Sequence, residues 1–276
     1  MRLITKIVYA LAVSTAAAVT AAAQDVALVR QAAQLQLEEY RHHSWGLQYR
    51  VHRVDSKDDS FREVIETADG NISRTLTWHG RALTPEEQMG EETRLKSLTV
   101  AEVRRRDAKS KSSDKYAVEL ITSLPDAMLF TPVAGQPQLP DQPHRQAVLD
   151  FAPNSAFQPT TTTQSLLTGL AGRLWIDTET HHLSRIDIRI TKNLNLMLGI
   201  LARVYEGGTL SYEQRAVSQG VYCYSSVTMD VKLRELMLHT APYKQTLTIS
   251  NTRFFPTAPS VSEAVAMLLA VPPLRP

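Results

Sequence analysis

The run with the clearest capacity for chemistry is Asp177-Thr178-Glu179-Thr180-His181-His182. In an extended strand Asp177, Glu179 and His181 project to the same side, and two carboxylates with an imidazole suit zinc or manganese. The run lies between two strongly β-prone segments, however, where a hairpin loop ordinarily carries polar residues, and no supporting second set of ligands accompanies it. A turn is the preferred reading, and no metal is expected. His42-His43, at the end of a helical pattern, fits favourable charge near a helix C-terminus better than ligation. The chain has no glycine-rich phosphate loop, paired-cysteine zinc motif, zincin helix or nucleophile elbow, and its serines lack a triad context. Carboxylate pairs for acid–base work would have to be assembled from distant parts of the chain. No catalytic residue and no cofactor are assigned, and the chain reads as non-enzymatic.

Two further features carry charge or reactivity. Arg104-Arg105-Arg106-Asp107-Ala108-Lys109-Ser110-Lys111 is a basic cluster that could meet anionic lipid or an acidic partner, although a solvated helix end is the simpler reading. Cys223 is the only cysteine, so no internal disulfide can form, and its alternation with Val221 and Val227 marks it as a small core residue.

The first residues read as an export signal, with positive charge at Arg2 and Lys6, an apolar stretch from Ile7 to about Val19, and small residues ending at Ala21-Ala22-Ala23. A membrane span needs about 20 consecutive apolar residues, and this alanine-rich, threonine-interrupted stretch is short and weakly apolar for that. Cleavage after Ala23 leaves Gln24 first and places the protein in the periplasm. It also lowers the Lys and Arg count from 30 to 28, against 28 Asp and Glu, so nucleic acid is not an expected partner. Residues 24–276 read as one domain with a helical and proline-rich insertion at about 84–143.

The elements that must position any site begin with a helix from Asp25, its N-cap, to about Arg41. Val26, Val29, Ala33, Leu37 and Tyr40 form one stripe, with Leu28 and Leu35 opposite, so the helix either is covered on both faces, lines a cavity, or exposes two leucines. Strand-like runs follow at Leu47–Val54, Phe61–Ala68 and Asn71–Trp78, with Asp69-Gly70 as a hairpin turn. Alternation of Leu47, Tyr49 and Val51, and of Ile72, Leu76 and Trp78, with polar residues describes a sheet with one apolar and one wet face. Thr84-Pro85-Glu86-Glu87 carries a capping box and opens a polar helix running toward Arg106 or breaking near Thr99. A helical turn at Leu124–Phe130 precedes a long connection marked by Pro132, Pro137, Pro140 and Pro143. Ala147–Phe151 is strand-like and Pro153–Thr163 a loop. Strands are then expected at Leu174–Asp177, Leu183–Thr191, Ala202–Tyr205, Leu210–Val217, Val221–Met229, Val231–Thr240 and Tyr243–Phe254, with turns at Gly207-Gly208 and Gln219-Gly220 and a short helix over Ser262–Ala270.

This order of export signal, amphipathic helix, β-meander, helical insertion and long antiparallel meander resembles the periplasmic lipoprotein carriers of the LolA and LolB-like superfamily and their outer-membrane lipoprotein-sorting relatives. The stretch from Gly172 to Ile190, Gly-Arg-Leu-Trp-Ile-Asp followed by a turn and a strictly alternating strand, resembles that family's hairpin. The resemblance implies an α+β fold: a strongly curved antiparallel sheet, or unclosed β-barrel, with helices covering its concave face. It also implies an apolar cavity for acyl chains, with Tyr49, Val51, Leu76, Trp78, Leu174, Ile176, Ile186 and Ile188 as candidate lining residues. The implied partners are a lipid or a lipoprotein acyl chain, with transient contact to a membrane or to another carrier protein. The alternative is a structural or interaction protein whose sheet is filled by its helices and holds no exchangeable ligand.

Overall fold

The computed structural model describes residues 23–38, 40, 43–196, 202–235 and 239–274. The expected export signal, up to residue 22, and His42 lie outside the described residues. The chain is α+β and built on a 12-stranded antiparallel sheet that does not close.

Helix α1 covers residues 23–38. Asp25 lies inside it rather than capping it, because Ala23 and Gln24 are themselves good helix formers and the helix is already under way. Strands β1 (Gly46–Asp55), β2 (Asp59–Thr67) and β3 (Gly70–Thr75) form a meander. The turn before β3 places Gly70 at φ 127°, a conformation that glycine adopts without penalty.

The strand expected to run on to Trp78 stops at Thr75. Thr77–Trp78 (β4) instead pairs with Arg81–Ala82 (β5) in a separate two-stranded ribbon, leaving Trp78 47% exposed. Leu76 between them is buried.

Helices α2 (Pro85–Lys96) and α3 (Val100–Ala127) are each opened by a complete capping box, Thr84 with Glu87 and Thr99 with Glu102. The basic cluster is therefore not a helix end but the body of α3. Its charges are partly matched there, Arg104 by Asp69 at 2.7 Å and Lys111 by Asp107 at 2.8 Å. Where a last helical turn was expected, α3 gives way at Met128 to strand β6 (Met128–Pro132), which among the described residues pairs only with β7 (Gln146–Pro153). An edge position is where Pro132 can sit in a sheet without depriving a partner strand of a donor.

Helix α4 (Thr162–Leu167) occupies part of what reads as a loop, with Thr161 as its N-cap. The meander resumes with β8 (Leu170–Asp177), β9 (Leu183–Ile190), β10 (Leu194–Leu196), β11 (Ala202–Val204), β12 (Thr209–Ser218), β13 (Val221–Glu235) and β14 (His239–Phe255), and α5 (Val261–Ala270) follows. Strand β13 is continuous where two strands were expected. Asp230, which stands at the expected break, faces Lys244 across the ladder and pairs with it at 2.8 Å.

The sheet order is β3-β2-β1-β14-β13-β12-β9-β8-β7-β6, with β11 attached to β13 and β10 to β11. At the β1–β3 end both faces are covered, correcting the expectation of one wet face. Val64 and Tyr49 face one way, while Ile65 and Ile72 pack the other way against Leu95, Val103 and α5. Polar groups on that second face find internal partners: Gln48 and Arg50 donate to Glu63, and Arg74 donates to the carbonyls of Leu268, Leu269 and Val271 that α5 leaves open.

Candidate functional site

The strict alternation in β9 puts Ile186 and Ile188 on one face, and the register shows what stands beside them. Ile186 lies between Leu174 of β8 and Tyr212 of β12, and Ile188 between Gly172 and Leu210. This face is roofed by two helices. α1 contributes Val29, Ala32 and Ala33, and α3 contributes Ala117, Leu120, Ile121 and Leu124. Those α3 positions follow the three- and four-residue steps of a single helical stripe.

Between sheet and helices lies a cavity of about 410 Å³, partly open to solvent. It is there because the helices present only small groups at three of the positions facing the sheet, Ala32, Ala33 and Ala117. A volume of this size lies within the roughly 300–1,000 Å³ of small-molecule sites. Among the described residues Gln36, Tyr40 and Tyr212 are the only polar ones in the lining, and no carboxylate, amine, imidazole or thiol contributes to the wall. Such a surface offers burial without directional bonds.

The roof is fastened by polar contacts outside the cavity. Arg30 of α1 meets Asp126 of α3 at 2.7 Å, the Gln31 amide meets His181 at 2.8 Å, and Thr161 donates to Glu119 of α3.

Of the eight candidate lining residues, Leu174, Ile176, Ile186 and Ile188 stand on this cavity wall. Tyr49 and Val51 belong instead to a neighbouring apolar cluster with Leu47, Val64 and Cys223. Leu76 and Trp78 are not in the wall, because they follow β3, the edge strand at the opposite end of the sheet from the strands that floor the cavity. Sequence reading missed α3's four lining residues, although their spacing is the signal that would have found them.

The Asp177–His182 run is a turn and not an extended ligand set. One Asp177 oxygen accepts the amides of Glu179 and Thr180 at 2.8 and 2.9 Å, and the other faces His144 Nδ1 at 2.9 Å. Among the described residues no group of three His, Cys, Asp or Glu side chains is placed to hold a metal. Burial pushes the Asp177 carboxyl up, but the Thr180 amide, His144 and the Glu179 amide together outweigh it and hold the group below the usual aspartate range. The Asp177 hydrogen bond in turn raises His144.

The signs of these shifts define a window. The His144 contribution is complete below the ordinary histidine value of 6.5 and is lost as pH rises through the raised folded value. The Asp177 contribution is complete above the ordinary 3.8 and is lost as pH falls through its lowered value. Parent and H144Q melting temperatures should therefore differ most near about pH 5.5 and converge by about pH 8.5. A difference that stays constant across that range would show that the ion pair contributes nothing.

Compared with protein-family models and with curated proteins, the chain matches none.

Proposed function

We propose that the protein is an exported, periplasmic binding protein or carrier for the acyl chain of a lipid or lipoprotein, acting by burial and not by catalysis. The observation that carries this reading is the solvent-connected cavity whose walls are almost entirely hydrocarbon. A tail entering it gains about 0.8 kcal/mol per methylene removed from water. About ten methylenes thus outweigh the lower estimates of the cost of association, roughly 4 kcal/mol upward. In this reading the open sheet curves and α1 and α3 cover its concave side, as the resemblance to LolA and LolB-like proteins implies. Loading and unloading would involve transient contact with a membrane or a second carrier protein.

Titration of the delipidated, folded protein with a fluorescent fatty acid is the direct test. Saturable binding of one probe per chain is expected. Its absence would leave the filled-core alternative, a structural or interaction protein with no exchangeable ligand.

A further inference from the structure

A second chamber of about 270 Å³ adjoins the apolar one, and Tyr212 lines both. The register places Tyr212 opposite Ile186, and Gln214, two residues further along the same strand, opposite Tyr224, so both tyrosines stand on the face that carries the apolar cavity. Helix α3 passes over both chambers: Asp107 and Lys111 line the second, while Ala117, Leu120, Ile121 and Leu124 line the first. From Asp107 to Leu124 the helix extends about 25 Å at its rise per residue. Along one continuous roof the lining thus changes from charged to hydrocarbon.

The chemistry of the second chamber suits a cation. Trp45, Tyr212, Tyr222 and Tyr224 supply aromatic surface, whose π faces attract positive charge. Tyr222 is held by stacking on His182 with ring centres 3.8 Å apart, and Tyr224 by an edge contact with Tyr49. Among them stands Glu66, which accepts the Tyr49 hydroxyl at 3.2 Å. Among the described residues Lys111 is the one lysine or arginine in the lining, and its charge is already matched by Asp107 at 2.8 Å. His43 is the remaining basic lining residue, and it stacks on Trp45. Burial raises the Glu66 carboxyl above the ordinary glutamate value. A positive group beside it would offset that cost, whereas a second carboxylate would add to it.

We propose that the two chambers form one amphiphile site, taking a single-chain lipid whose tail fills the apolar cavity and whose ammonium head lies among Glu66, Trp45 and the tyrosines. This rests on the acyl-chain reading above and adds the head-group class to it.

Displacement of the bound fluorescent fatty acid from the full folded chain separates the two. The competitors are dodecyltrimethylammonium and dodecanoate, of equal tail length, used below their micelle concentrations. The ammonium amphiphile should bind about tenfold more tightly, in line with a desolvated cation–π contact. E66Q should remove most of that preference by weakening the ammonium competitor alone. Equal affinity of the two in the parent, or E66Q weakening both alike, would overturn the head-group assignment while leaving the acyl-chain reading standing. Failure of both competitors and of the probe to bind would overturn both readings. Should circular dichroism show E66Q unfolded, D107N, at a partly exposed position, should narrow the preference in the same direction, and an unchanged preference would count against the proposal.

Discussion

Gly172→Ala is expected to cost the protein at least about 3 kcal/mol of stability, although the change adds a single methyl group. A Cβ built at Gly172 meets the carbonyl oxygen of Asp187 at 1.9 Å and the ring of Phe151 at 2.9 Å. The phenyl ring can turn aside. The carbonyl cannot, because it belongs to β9, whose ladder with β8 pairs Gly172 with Ile188 and Leu174 with Ile186. Relief requires prising apart the two strands that floor the cavity. The cost should reach or exceed about 3 kcal/mol, the upper end of ordinary overpacking. Domains of this kind hold only about 5–15 kcal/mol in all.

Gly90 supplies the control. It lies inside helix α2 with nothing within 4 Å of a built Cβ, so Gly90→Ala should stabilise by up to about 1 kcal/mol. Urea unfolding of both variants beside the parent measures the contrast. A midpoint for G172A within experimental error of the parent would show that β8 and β9 do not approach each other as described.

Features that depend on nearest neighbours were legible in the sequence. The Thr84-Glu87 capping box, the turn at Gly70, the alternation of Ile186, Ile188 and Ile190, and the start of α5 all rest on residues within a few positions of one another, and each stands where its local chemistry puts it. Readings failed where distant partners decide the outcome. The expected break between Met229 and Val231 is absent, and Asp230 there faces Lys244 across the ladder. The charged stretch from Arg104 to Lys111 looks like a helix end until Asp69, on another hairpin, takes up Arg104. The pairing of β1 with β14 joins the two ends of the described sheet sequence, and no local pattern announces it.

The candidate site divides in the same way. Alternation could place Leu174 with Ile176 and Ile186 with Ile188, but it could not show that Tyr49 and Val51, equally well alternated, pack against Val64 and Ile249. Nor could it supply the roof. The α3 half of the wall was readable in principle, since Ala117, Leu120, Ile121 and Leu124 carry a helical stripe, but the expected polar helix ends near Arg106 and the next expected helical turn begins only at Leu124, so most of the stripe falls between them.

The cavity itself yields the sharpest contrast between two isoleucines that sequence alone treats as equivalent. Ile176 is fully buried, whereas Ile188 retains partial exposure because its side chain borders the open cavity. Ile176→Glu puts a carboxyl at a position with no solvent exposure, and the loss of packing adds about 2–5 kcal/mol to the cost of desolvation, so this variant should not fold. Ile188→Glu places the same group on a surface that solvent can reach. It should fold, with a loss of about 1–3 kcal/mol.

Binding should respond in the opposite order of subtlety. In the folded Ile188→Glu protein an acyl chain would lie against an unpaired carboxylate, a contact costing several kcal/mol, so fatty-acid affinity should fall by about 100-fold or more. The loss should be partly reversed by acid. The apolar surroundings raise the carboxyl of the introduced side chain, and once it is neutral the penalty against the tail is smaller, so affinity should recover as pH falls toward about 5. Fluorescent fatty-acid titration at two pH values, with circular dichroism to establish folding, measures each part. An Ile188→Glu protein that folds and binds the probe as tightly as the parent at neutral pH would place the acyl chain somewhere other than this cavity.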